Sequence, residues 1–296
     1  MRLGYFEWWE EYKNSGTLKT IFWFLVLFNL GLWFSIFSSR VQQNSELYFL
    51  DIGQGDSSLV LLPGNVKVLI DGGPPNGLLE KNLQAILPLP DRYIDLVAIT
   101  HPQQDHYGGF IELFKHYTIG AILTNGQSSK NVSWEELEKV ITEKQIPEIS
   151  LHAGDAIIYG GSQFDILSPA IGAITKDIND LGVVMRFQNN ALRALFTADI
   201  SAEKERELAK KFNLGAEILK VSHHGSKFSS DPDFLKAVGP RVSVIGVGKK
   251  NTYGHPTAQA LNRLAAVTTQ LYRTDQDGII KIIAEGNQLR IFQRAL

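Results

Sequence analysis

The chain contains no cysteine among its 296 residues. That absence excludes a disulfide-stapled scaffold, a thiolate zinc site and cysteine-nucleophile chemistry together, so any metal must be held by histidines and carboxylates. No internal repeat is present, and the one linker-like stretch is residues 38–45. With 44% hydrophobic residues, 20% charged and 26 glycines spread along the chain, disorder, collagen and coiled coil are excluded by composition. The length suits one domain of up to about 250 residues plus an appendage. Net charge is nearly absent too, at −2, but it is unevenly placed. Residues 41–200 carry 10 Lys and Arg against 19 Asp and Glu, a net of −9, whereas residues 201–296 carry 15 against 9, a net of +6. An acidic half suits a cation site, and a basic half suits an anionic substrate.

From Thr20 to Phe37 the chain reads TIFWFLVLFNLGLWFSIF, eighteen residues without a charge. At about 1.5 Å per residue that run just spans a hydrocarbon core. Trp8, Trp9, Trp23 and Trp33 suit the water interface on either side. The run exceeds the ~7–15 apolar residues of a cleaved signal and no small-x-small site follows it, which favours an uncleaved anchor. Arg2, Lys13 and Lys19 precede the span and only Arg40 follows closely, so the positive-inside bias places the N-terminus in the cytoplasm. The expected organisation is a cytoplasmic segment over 1–19, a transmembrane anchor over 20–37, a linker over 38–45 and an extracytoplasmic domain over 46–296.

The body reads as short strands punctuated by glycine. Ser58–Leu62 and Val66–Ile70, split by Pro63-Gly64, form a hairpin signal. Further strands are expected at 96–100, 120–124, 156–158, 164–167, 183–187, 192–197, 217–221, 242–247, 271–272 and 278–284. Helices are expected at 107–116, 133–143, 202–212, 233–238 and 257–264, the second capped by Ser133 with Glu136 at capping-box spacing. The recurring event is a buried strand that ends in His or Asp before Gly or a helix. A rigid sheet holds such side chains while they project into a cleft.

Five of the seven histidines fall in His101-Pro102-Gln103-Gln104-Asp105-His106, in Ser222-His223-His224-Gly225-Ser226 and in Tyr253-Gly254-His255-Pro256. In the first segment His101, Asp105 and His106 share one turn after a strand and can face a common pocket. Imidazole with carboxylate suits Zn²⁺, Mn²⁺ or Fe²⁺ better than Ca²⁺ or Mg²⁺. Asp199, ending Phe196-Thr197-Ala198, is placed to bridge two ions, and such a pair activates water against a phosphoester. His116 and His152 have no partner in sequence and are expected to be structural.

Phe49-Leu50-Asp51-Ile52-Gly53-Gln54-Gly55-Asp56, Leu69-Ile70-Asp71-Gly72-Gly73, Thr100-His101 to Asp105-His106-Tyr107-Gly108-Gly109, Phe196-Thr197-Ala198-Asp199, Lys220-Val221-Ser222-His223-His224-Gly225-Ser226 and Asn251-Thr252-Tyr253-Gly254-His255-Pro256 resemble, in this order, the motifs of the metallo-β-lactamase superfamily. More narrowly they are similar to the hydrolase domain of ComEC-type DNA-uptake competence proteins. Tyr272 to Gly278 is similar as well, and the resemblance covers about residues 46–285. It implies an α/β (α+β) four-layer αββα sandwich and metal-assisted hydrolysis of nucleic-acid phosphodiesters. Another phosphodiester, such as a wall polymer, or a binding module with a partly degenerate site are the alternatives.

By this resemblance the metal ligands are His101, Asp105, His106, Asp199 and His255. Gln103 departs from the family, which usually has His or Asp there, and 178–187 lacks the further histidine often found before the bridging Asp. One Zn or Mn ion is therefore expected to bind tightly through Asp105, His106, Asp199 and His255, and a second only weakly near His101. Asp71 is expected to orient a ligand histidine, and Asp51 and Asp56 to shape the loop or support ligands. His223 or His224 suits proton donation to a leaving oxygen, with Asp105 at the reacting centre. Ser226, Lys227, Lys249, Lys250 and Arg273 are candidates for the substrate anion, and no base-stacking track of exposed aromatics is evident. One apolar span cannot form a many-helix channel, so transport of DNA, the expected substrate, falls to separate channel or uptake proteins.

Overall fold

In the computed structural model the described residues are 15–38, 44–88, 91–286 and 288–295. Most of the expected cytoplasmic segment, with Trp8 and Trp9, and linker residues 39–43 lie outside them. The chain divides into two units, Met1–Gln43 and Asn44–Leu296.

The first unit is described by one helix, Gly16–Ser38, long and apolar enough to cross a membrane over Gly16–Phe34. Its Leu, Phe and Trp side chains are exposed from Phe22 through Phe34. Its polar groups turn inward: Thr20 Oγ1 donates to the Gly16 carbonyl at 2.9 Å and Asn29 Nδ2 to that of Leu25 at 3.0 Å. Such back-bonding satisfies a hydroxyl or amide where water is absent. One apolar helix of this kind fits a single-pass anchor.

The second unit is built on two sheets. The first has eight strands in the order β15-β14-β1-β2-β3-β4-β5-β6: β1 (Glu46–Phe49), β2 (Ser58–Leu62), β3 (Val66–Ile70), β4 (Tyr93–Ala98), β5 (Thr118–Thr124), β6 (Glu148–Ser150), β14 (Ile279–Glu285) and β15 (Gln288–Arg294). The second has seven, β13-β12-β11-β10-β9-β8-β7: β7 (Ala156–Tyr159), β8 (Ser162–Ser168), β9 (Val184–Gln188), β10 (Arg193–Phe196), β11 (Ile218–Lys220), β12 (Val242–Ile245) and β13 (Gln270–Arg273).

The period-2 alternation of side chains sorts these strands into layers. On β1 and β2, Leu47, Phe49, Val60 and Leu62 face Phe164, Met185, Phe187, Ala194, Phe196 and Val244 of the other sheet. Tyr48, Leu59 and Leu61 on the opposite face pack under helices Leu78–Ile86, Phe110–His116 and Val132–Glu143. Leu195, Leu219 and Ile245 likewise meet helices Ala202–Lys211, Pro232–Val238 and Ala258–Ala265. The result is the expected αββα sandwich, and strands covered on both faces explain the near-continuous apolar runs. Helix Val132–Glu143 is capped by Asn131, whose side chain accepts from Ser133 N, and not by Ser133. β6 and β15 were not expected: both lie at sheet edges, β6 is short and exposed, and β15 mixes Leu289, Ile291 and Phe292 with four polar residues.

Strands β3 to β6 run parallel, as do β10 to β13. Parallel sheets present ligand-binding loops at the carboxyl ends of their strands. Asp71 follows β3, His101 follows β4, Asp199 follows β10, and His223 and His224 follow β11.

Candidate metal centre

The turns after these strands are left-handed where ordinary residues avoid it. Asp71, Ala198, His223 and His224 have φ of 58°, 49°, 50° and 52°, a conformation that costs on the order of 1–2 kcal/mol per residue and persists only when surroundings enforce it. Here it turns Asp71, His224 and, through Ala198, Asp199 inward. All three are buried.

Four buried side chains, Asp56, His106, Asp199 and His224, offer donor atoms that all lie within 4.8 Å of one another. Hydrogen bonds behind the imidazoles set which nitrogen faces the centre. His106 Nδ1–H donates to Asp71 Oδ2 at 2.8 Å. His224 Nδ1–H donates to the Gly246 carbonyl at 2.9 Å, with Asp56 Oδ1 3.3 Å from the same nitrogen. Thr100 Oγ1 gives its proton to Asp71 Oδ2 at 2.8 Å, so toward His101 Nδ1, 3.0 Å away, it can only accept. Asp71 thus fixes His106 directly and His101 through Thr100, the arrangement that orients metal-binding histidines.

Each ring consequently points Nε2 inward as a lone pair. The Nε2 atoms of His101, His106 and His224 and Oδ1 of Asp199 are all buried without a hydrogen-bond partner. Asp199 Oδ2 lies 3.4 Å from His106 Nε2 and 3.3 Å from His224 Nε2, and Asp105 Oδ2 lies 3.5 Å from His224 Nε2. Acceptors converging on acceptors at this depth require extra protons or a cation between them. Without a cation, protons take that place. Against the cost of burial, Asp199 and Asp71 raise His106, and Asp199 and Asp56 raise His224. Burial likewise opposes ionisation of Asp105, yet His224 beside it and the charge of His106 draw it down to about 2. Burial, with His106 beside it, pushes His101 down to about 3. The donor set, imidazole Nε2 with carboxylate oxygen, fits a divalent metal.

Asp56 enters from behind His224, and its carboxylate forms a buried ion pair with Lys220, the last residue of β11. Lys220 Nζ also donates to the Val221 carbonyl at 3.0 Å. Two glycines make room: a Cβ on Gly246 would lie 2.4 Å from Asp56 Oδ1, and one on Gly55 2.2 Å from the Asp105 carbonyl oxygen. Lys220 had no motif chemistry to single it out, and only its place beside His223-His224 could have drawn notice.

His255 stands at the rim. Its ring centroid is 5.9 Å from that of His223, whose Nε2 is 3.9 Å from Asp199 Oδ2 and whose side chain is 31% exposed. Asp51 is half-buried. Gln103 donates its amide to Asn179 Oδ1 at 2.6 Å. Among the anion candidates, Lys249 and Lys250 are exposed and Lys227 lies over the Phe228 ring. Ser226 is buried, its Oγ accepting from Phe228 N at 3.3 Å, and Arg273 is held by both oxygens of Asp275 at 3.0 and 2.6 Å.

Glu205 supports the His223-His224 turn from below. It accepts from Ser222 Oγ at 2.7 Å and from the backbone N–H groups of Ser230 and Asp231 at 3.0 and 2.7 Å. Burial pushes its carboxyl up to about 7, against the pull of these donors. Such a group favours the folded state fully below its ordinary value of 4.5, and that favour is lost as pH rises through about 7. The loss is on the order of 3 kcal/mol. Urea unfolding of chelator-treated protein is expected to show stability falling from about pH 5 to 7.5, with Glu205→Gln flattening the slope. An unchanged slope in the variant would assign the fall to other groups.

The metallo-beta-lactamase superfamily model matches residues 50–249. ComE operon protein 3 of Bacillus subtilis (strain 168) is 30% identical over 259 residues, covering 81% of this chain and 33% of that protein. Competence protein ComA of Neisseria gonorrhoeae is 29% identical, covering 78% and 31%, and Recombination protein 2 of Haemophilus influenzae is 28% identical, covering 82% and 29%. The chain thus spans about a third of the length of the curated relatives it matches. Among solved structures, the metallo-beta-lactamase fold protein YhfI from Bacillus subtilis superposes with a TM-score of 0.56 at 12% identity, covering 84% of this chain and all of that one.

Proposed function

This chain belongs to the metallo-β-lactamase superfamily, and from its site we propose a metal-dependent hydrolase that cuts nucleic-acid phosphodiesters, DNA foremost. The hydrolase domain works outside the cytoplasm, tied to the membrane by the helix Gly16–Ser38. The observation that carries the chemistry is the convergence of two partnerless imidazole Nε2 atoms, those of His106 and His224, on Asp199, with the partnerless Nε2 of His101 on the ring beside His106. A divalent cation, Zn²⁺ or Mn²⁺, bound there supplies Lewis acidity toward a phosphoryl oxygen. His101, His106, His224, Asp199 and Asp105 hold it, with Asp71 and Asp56 behind the rings. His223, left at the rim when His224 turns inward, is placed to give a proton to the leaving oxygen. Lys227, Lys249 and Lys250 draw the phosphate backbone in.

DNA as substrate is supported by the competence relatives and by the basic C-terminal part of the chain. The anchor orientation follows from the Lys and Arg placed before the span, and any channel is a separate protein. The test is the full chain in detergent, incubated with end-labelled DNA and with Mn²⁺ or Zn²⁺, alongside metal analysis. Salt-sensitive cleavage with one tightly held ion is the expected result. A folded protein that cuts no phosphodiester in either metal overturns the proposal. Hydrolysis of a small ester without competition by DNA moves the substrate to a wall polymer or a similar phosphodiester.

A further inference from the structure

Tyr253 and Phe228, at 69% and 67%, are the most exposed aromatic side chains among the described residues of the unit Asn44–Leu296. Tyr253 is linked to the metal centre through two rings, and Phe228 lies on the loop that leaves the His223-His224 turn. Tyr253 stacks on the His255 ring, with centroids 6.0 Å apart and planes within 26°. His255 meets His223 at 5.9 Å, and His223 Nε2 lies 3.9 Å from Asp199 Oδ2. A file of rings therefore leads from the central carboxylate to the surface and ends in a phenol. Phe228 follows His224 by four residues and carries the Lys227 ammonium 4.9 Å from its ring centre.

Neither ring sits on a slack loop. Arg263 donates to the carbonyls of Lys227 and Ser229, on either side of Phe228, at 3.2 and 2.9 Å. Asn251 Nδ2 and Oδ1 clasp the backbone of His255 at 2.8 and 3.0 Å, closing the turn that carries Tyr253. The two loops are joined where Thr257 N and Oγ1 both donate to the Gly225 carbonyl, at 2.9 and 3.2 Å. Chain braced this firmly, with its largest apolar groups left in water, presents them. The groups alongside are the exposed ammonium ions of Lys249 and Lys250, on the Tyr253 loop, and that of Lys227. Flat π faces interleaved with cations match unpaired bases on a phosphate backbone, because every base has a stackable face and every linkage a charge. An apolar protein partner would instead be met by a patch free of charge at its centre. The sequence hid this surface, since nothing in its pattern separates an exposed aromatic from a core one.

Resting on the phosphodiesterase reading, we infer that Tyr253 and Phe228 form a stacking platform for the bases that flank the phosphate entering the site. The platform selects polynucleotides over simple phosphodiesters. The test compares a fluorescent single-stranded oligonucleotide, the same oligonucleotide with abasic sites throughout its centre, and bis(p-nitrophenyl) phosphate, using the metal-loaded full chain in detergent. In Tyr253→Ala and Phe228→Ala the ratio of kcat/KM for the oligonucleotide to that for the small ester is expected to fall about tenfold each, mainly through KM. Tyr253→Phe and Phe228→Trp retain the ratio, and the abasic strand lowers wild type to the level of the alanine variants. An unchanged ratio in the alanine variants, or an abasic strand cut as well as the intact one, overturns the platform. If wild type cuts neither DNA nor the small ester, it is the phosphodiesterase reading that has failed.

Discussion

Replacing Asp199 with alanine is expected to remove metal binding and hydrolysis together, by well over the ~100-fold typical of changes behind a ligand. Asp199 is buried at 1% exposure and its Oδ2 lies between the Nε2 atoms of His106 and His224, at 3.4 and 3.3 Å. No other carboxylate among the described residues touches both rings from the inner side. Asp105 approaches only His224, at 3.5 Å, while Asp56 and Asp71 approach from the Nδ1 side. The variant should still fold, because without the Asp199 charge the imidazoles of His106 and His224 lose a main cause of their raised protonation and can rest neutral. Metal content by mass spectrometry and the urea midpoint in chelator measure the two effects separately. Full metal occupancy in Asp199→Ala would show that the centre is organised about another group.

The second large effect is expected from Lys220→Met. Lys220 and Asp56 have side chains only 6% and 5% exposed, and each is the other's charge partner. Methionine fills the same space but takes away the largest charge that holds Asp56 ionised, leaving His224 as its remaining neighbour of opposite sign. Breaking a buried pair in this way typically costs about 3–5 kcal/mol. Lys220→Met combined with Asp56→Asn removes both charges while keeping an acceptor near His224 Nδ1, and should recover most of the loss. Urea midpoints of the two variants decide it. Wild-type stability in the single variant would mean that Asp56 is already neutral in the folded protein.

These contrasts mark how far the chain could be read without its structure. The Ser58–Ile70 hairpin, the strand ends at His101 and Asp199 and the order of the motifs were legible, because turn glycines and alternating apolar residues are local signals. The four-layer arrangement was expected from the family resemblance that those motifs carry. The pairing of Asp56 with Lys220, 164 residues apart, was not legible. Neither was the choice of His224 over His223 as the inward ring, since that rests on left-handed backbone at both residues, and pattern carries no dihedral angles. Arg273 read as a free cation because Asp275, two residues away, could not be known to fold back on it.

The centre lies on a seam. Asp71, His101, Asp105 and His106 come from connections of the first sheet, and Asp199 and His224 from those of the second. For a chain that emerges from the ribosome N-terminus first, this sets an order of events. Three imidazole and carboxylate donors of the early half are made long before Asp199 exists, and contacts such as Gln54 with Gly248, 194 positions apart, close only when the chain between them has been laid down. Contacts of such long range form late and slowly. An ion held at this seam would therefore join donors that fold at different times, and would stabilise the finished domain by mass action.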